Sequence, residues 1–193
     1  MYRVSLLQLY TYWLLSFVLH PFAVSAEGER MIRLSIVDED TKLAIPARIY
    51  LNSEVGSAYY FSVDHSLGSA VNYDKQNWIN KQSIEYHTTV SAHSCLAKVP
   101  TGKYLLTIES GKSYRGFVRD IVVADDDIEL VVPLKRWNDP AARKWYSGDT
   151  HVHRTIEELR NVVLAEDINV AFPLTHWVTR YSKLLSASMC KSH

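Results

Sequence analysis

The sequence predicts a mainly β fold: a β-sandwich followed by a single strand–helix–strand unit. Three observations carry this. Apolar residues alternate with polar ones from Met31 to about Leu134, the two-residue period of half-buried strands. One helix-start signal stands out, late in the chain, between two β-type runs. The length, 193 residues, admits one ordinary domain plus a piece of another. It is short of the roughly 250 residues of an eight-stranded α/β barrel.

The elements follow in order. Residues 1–26 read as a secretory signal peptide, with Arg3 as the basic start and Trp13–Leu19 as the apolar run. His20 and Pro21 end that run, and Val24-Ser25-Ala26 offers small residues before a cut at Glu27. The run falls short of the ~20 apolar residues that span a bilayer, and no later segment could span one. The expectation is export, to a periplasm or to the outside, with no membrane span after removal of the signal.

Residues 27–136 form the predicted sandwich. Ile32, Leu34 and Ile36 alternate with Arg33 and Ser35, and a polar turn at Asp38–Lys42 precedes a strand at Ile45–Leu51. Pro100-Thr101-Gly102 signals a turn before Lys103–Glu109, and Ser110-Gly111-Lys112 signals another before a β-rich run to Val123. Asp125-Asp126-Asp127 reads as a solvated hairpin turn rather than a Ca²⁺ site, which would need oxygens from several places. After it, Ile128, Leu130, Val132 and Leu134 share one face.

Residues 53–83 are less regular and carry Tyr59, Tyr60, Phe61, Tyr73 and Trp78. Flat rings can stack on a sugar, which makes this insert a candidate platform for carbohydrate or for a protein ligand; the favoured reading is that the rings cover the open end of a small sandwich.

The segments Ile32–Leu51 and Val99–Val123 together resemble a carboxypeptidase regulatory-like, transthyretin-like sandwich in pattern and turn placement. That resemblance implies fold and says little of activity.

Charge excludes some functions. Lys and Arg number 21, as do Asp and Glu, so no excess positive field exists for nucleic acid. The seven glycines form no phosphate-binding loop, and no Ser- or Cys-nucleophile pattern appears. The two cysteines, Cys95 and Cys190, leave pairing open, because nothing in the sequence fixes their geometry.

The chemistry lies in Trp145–Arg154, which reads WYSGDTHVHR. His151 and His153 are two apart, so on a strand their imidazoles point to one side and can grip one divalent metal. Asp149 shares that side and could hold a histidine N–H as an outer partner. Thr155 and Glu158 make a T-x-x-E capping box, and Ile156, Leu159, Val162, Val163 and Ala165 follow at helical spacing. Ile168–Leu174 reads as a buried strand, and Glu166 and Asp167 as a solvated helix end.

With LAEDINVAFPLTHW downstream, Trp137–Trp177 resembles the start of a PHP-type metallohydrolase (the polymerase and histidinol phosphatase-like superfamily). Its nearest likeness is to the CehA/McbA branch, whose members often carry a β-sandwich before the barrel. The resemblance implies a distorted α/β barrel with two or three divalent ions (Zn, Mn or Fe). It implies metal-activated water attacking a phosphoester, ester or carbamate-type bond. The family's paired histidine ligands correspond to His151 and His153. Where the family's next motif reads Thr-Asp-His, this chain has Thr175-His176-Trp177, so His176 is either a substitute ligand or a polar residue at a strand end.

Residues 137–178 are therefore expected to be a truncated PHP-like start and 179–193 a polar, disordered tail. The whole reads as the N-terminal fragment of an exported hydrolase, inactive alone, whose residues 137–193 dock imperfectly on the sandwich or stay loose. Its exposed barrel edge invites self-association. The alternative is a secreted β-sandwich module that binds carbohydrate or protein.

Overall fold

A computed structural model describes residues 28–76, 80, 82 and 84–174. The signal-peptide reading, Trp78, His176, Cys190 and the tail lie outside the described residues. Mainly β structure is observed. Among the described residues eleven strands run in the order β1 Arg30–Asp38, β2 Ala47–Ser53, β3 Ala58–Tyr59, β4 Ala70–Gln76, β5 Ile84–Val90 and β6 Cys95–Val99, then β7 Gly102–Glu109, β8 Phe117–Val123, β9 Ile128–Leu134, β10 Gly148–Val152 and β11 Val170–Pro173. The α-helix of the described residues, α1 Ile156–Ala165, sits between the last two of these strands.

Two sheets hold the core. One has three strands in the order β6-β1-β9, and the other runs β4-β5-β2-β7-β8 with β3 paired to β2. Alternation in β1 places Ile32, Leu34 and Ile36 on the inner face, and β2 and β7 answer with Ile49, Leu51, Leu106 and Ile108, all buried. β9 supplies Val132 and Leu134 to the same core.

The sequence reading passes over four strands, the two-residue β3 together with β4, β5 and β6. β6 buries only small residues, Cys95, Ala97 and Val99, which give a weak apolar signal. β4 is the edge of its sheet and is rich in polar residues, as an edge strand tolerates. β5 buries His87, Thr88 and Thr89 in succession, so it shows no alternation. That happens because both of its faces are covered, one by the core and the other by α1.

The aspartate run 125–127 is not a hairpin. β8 and β9 belong to different sheets, so the run carries the chain across the sandwich. Asp127 Oδ1 accepts the Met31 N–H at 2.8 Å, which ties that crossing to the start of β1.

β10, α1 and β11 form a strand–helix–strand unit, with β10 and β11 parallel in a sheet of their own. The Thr155 cap is as expected: its hydroxyl accepts the Glu158 N–H at 3.3 Å. β11 is not buried, however. Val170 is 46% exposed and Phe172 57%, because among the described residues only β10 pairs with it.

The unit docks on the outer face of the larger sheet through specific polar contacts rather than loosely. Glu166 pairs with Arg48 of β2. The Asp167 carboxylate accepts from both Arg136 terminal nitrogens, each at 3.3 Å. These two carboxylates are therefore docking groups and not a solvated helix end. Buried Asn161 donates from Nδ2 to the Ser69 carbonyl and hydroxyl, at 2.9 and 2.6 Å. Gly111 N–H donates to the Ala165 carbonyl at 2.7 Å. Gly111 has a φ of +54°, and a Cβ there would run into Asp167 Cβ and the Glu166 backbone. No helix among the described residues is long and apolar enough to cross a membrane.

Candidate metal site

The paired histidines lie where the first strand of the unit gives way to its helix. β10 is registered on β11 by Ser147. Its carbonyl accepts the Asn169 and Val170 N–H groups, each at 3.1 Å, and its N–H donates to Asn169 Oδ1 at 3.0 Å. The ladder then shifts register between Asp149 and Val152. His151 falls within this irregular stretch and His153 immediately follows β10.

The two imidazoles meet. Their Nε2 atoms are 2.9 Å apart and the rings stand edge to face, centroids separated by 4.8 Å. Both residues are exposed. At metal–nitrogen bonds of roughly 2.05 Å, nitrogens this far apart would subtend an angle of about 90°, as adjacent ligands of one ion do. The donor set fits a borderline divalent cation. A hydrogen bond between the two Nε2 atoms needs a hydrogen on one of them and a lone pair on the other. To offer both Nε2 lone pairs, the donating ring must carry its hydrogen on Nδ1 instead.

Asp149 does something other than hold an imidazole. Its Oδ1 accepts the backbone N–H of His151 at 2.9 Å. A main-chain donor two residues on is the nearest partner for a short carboxylate, so Asp149 shapes the chain that carries the ring. Among the described residues no group of three or more His, Cys, Asp or Glu side chains is placed to hold an ion, so the described site is a pair.

A row of stacked side chains borders the pair. The Arg154 guanidinium carbon lies 4.8 Å from the Tyr73 ring centroid. Tyr73 stacks on His87 at 5.0 Å and 14°, and His87 meets Tyr50 at 5.2 Å and 52°. Tyr73 and His87 are direct cross-strand partners, which puts both rings on the face that α1 covers. Burial, with the Arg48 and Arg154 charges nearby, pulls the His87 imidazole down to about 4. Glu85 Oε1 is 3.3 Å from His87 Nδ1 but does not outweigh them.

The sequence named Tyr73 as part of an aromatic insert but gave no sign of His87, which lies in a strand without alternation. Two other rings of the insert are also committed to packing. Phe61 is buried in the core, and Tyr59 sits edge-on to Tyr104 with centroids 5.4 Å apart. Tyr59, Phe61 and Tyr73 thus pack on the sandwich rather than form a flat open platform.

A second row anchors the other end of the unit. Arg136, which holds Asp167, lies 4.3 Å over the Tyr114 ring, and Tyr114 donates its hydroxyl to Asp38 Oδ2 at 2.9 Å. Asp38 also accepts the Thr41 N–H at 2.7 Å, and that backbone bond leads the causes that lower its carboxyl below the usual range. Each end of the unit is therefore fastened by an arginine laid on a tyrosine.

No protein-family model matches this chain, and neither does a curated protein. A solved structure described as the Bacillus anthracis TIE protein is similar over 65% of this chain and 19% of its own length. The identity is 15% and the TM-score 0.32, a likeness that carries no inference about chemistry.

Proposed function

We propose that His151 and His153 are the first two protein ligands of a divalent-metal site. On this reading the chain carries the opening strand–helix–strand of an exported metal-dependent hydrolase of PHP type, near the CehA/McbA branch, behind a carboxypeptidase regulatory-like sandwich. The observation that carries the reading is the 2.9 Å separation of the two Nε2 atoms at a strand end. The expected ion is Zn²⁺, Mn²⁺ or Fe²⁺.

When bound in such a site, a divalent ion polarises the scissile group and lowers the pKa of a coordinated water. The chain's own part is narrower. His151 and His153 offer two neutral nitrogens on one side of the chain. Asp149 holds the backbone turn beneath the first of them. The Thr155 cap starts the helix directly behind the second. Further ligands would come from outside the described residues, with His176 as the next candidate. Phosphoester, ester or carbamate hydrolysis would require those ligands as well.

Calorimetric titration with Zn²⁺ and Mn²⁺ tests the reading. One equivalent should bind the wild-type chain and none the His151→Ala/His153→Ala variant. Equal uptake by the variant would overturn it.

A further inference from the structure

We infer that Tyr73 and Arg154 are positioning residues for the imidazole pair, so that the sandwich serves as the template of the metal site; this rests on the metal-pair reading above. The pair has no packing of its own. Residues 148–151 and His153 are all exposed, and only Val152 is partly covered. Two nitrogens grip one ion only if both are held within about 0.5 Å of the required geometry. Something other than burial must hold them.

Besides the Asp149 bond to the His151 N–H, two restraints reach the pair among the described residues. On one side is the ladder to β11, interrupted between Asp149 and Val152. On the other is Arg154, the residue directly after His153. Its side chain is 21% exposed and lies over Tyr73, with Glu158 Oε2 3.9 Å from Nη1. Lys75 Nζ also lies 5.5 Å from the Tyr73 centroid. Below Tyr73 the stack continues through buried His87 to Tyr50 of β2. The guanidinium is thus fastened to the outer face of the larger sheet by a column of rings. Fixing the Arg154 side chain fixes the backbone that sets the His153 ring against His151. The same contact occupies the arginine charge at the tyrosine face, where it is attracted to the ring's electron density.

Cu²⁺ is a suitable probe, because paramagnetic resonance of the copper form reads the number of equatorial imidazole nitrogens. The full chain would be titrated, with the His151→Ala/His153→Ala variant as background for other histidines. Wild type should show one copper with two imidazoles. Arg154→Met and Tyr73→Leu should bind roughly tenfold more weakly, the loss typical of removing an outer partner of a metal ligand. Their spectra should show a single imidazole. Tyr73→Phe keeps the ring face and should behave as wild type.

Arg154→Met truncates a side chain outside the core, so its thermal unfolding should match wild type and separate positioning from collapse. Two imidazoles at wild-type affinity in Arg154→Met and Tyr73→Leu would overturn the positioning role alone. A loss in Tyr73→Phe as large as in Tyr73→Leu would overturn the ring-face basis. A wild-type chain that takes no copper on two imidazoles would overturn the metal-pair reading, and this inference with it.

Discussion

Arg136 and Asp167 meet as a fork, with Nη1 and Nη2 each 3.3 Å from a carboxylate oxygen. Both side chains are more than two-thirds buried, which shields the pair from solvent. It joins the end of the sandwich to the end of α1. A double-mutant cycle with Arg136→Ala and Asp167→Asn should give a coupling of about 1 kcal/mol, at the upper end for partly exposed pairs. Limited proteolysis of either variant should cut residues 137–174 before the sandwich.

Gly111 packs against the same helix end at a φ of +54°. An added Cβ costs about 1–2 kcal/mol for the left-handed backbone alone. The collision with Glu166 and Asp167 adds to that cost. Gly111→Ala should therefore lower Tm and speed hydrogen exchange in α1, while β1 and β7 stay protected. Unchanged exchange in α1 would argue that the docking contact is dispensable.

His87 gives a pH dependence whose sign is fixed. The imidazole titrates near about 4 in the fold and near its ordinary 6.5 when unfolded. Between these values the unfolded chain binds the extra proton, so stability falls as pH drops from 6.5 towards 4. The contribution is fully present above pH 6.5 and is gone below the folded value. Urea unfolding at pH 7 and 4.5 should show wild type losing about 2 kcal/mol more than His87→Phe. Equal losses would place the imidazole in a wetter site than this one.

Cys95 is buried and free, and its thiol, pushed up to about 12 by burial, lies 3.6 Å from the Leu34 carbonyl. In a Cys190→Ser variant, a thiol reagent at pH 8 should react no faster than the protein unfolds. Rapid stoichiometric labelling would contradict the buried placement.

The core was legible where one face of a strand is apolar and the other wet. Ile32, Leu34 and Ile36 alternate in this way and are buried; in the strand read at Lys103–Glu109, Tyr104, Leu106 and Ile108 form the buried face. The Thr155 cap was legible because its signal is local. Where a strand is covered on both faces, as in β5, the period disappears and no signal marks His87 or Thr88. Docking was hidden for another reason. Glu166 and Asp167 look like any acidic helix end, and their partners Arg48 and Arg136 lie far away in the chain. The same distance conceals the stack of Arg154 on Tyr73. The histidine pair was the legible part of the candidate site, since the two-residue spacing on an extended chain sets which side each ring faces. Asp149 shares their side, but its hydrogen bond went to the nearer backbone N–H.

Anomalous diffraction from crystals of the full chain soaked in Zn²⁺ tests the metal-pair claim most directly. A peak about 2.0–2.1 Å from both the His151 and His153 Nε2 atoms is the predicted result. Crystals whose only zinc peaks lie at other side chains, with the two imidazoles still hydrogen-bonded to each other, would contradict it.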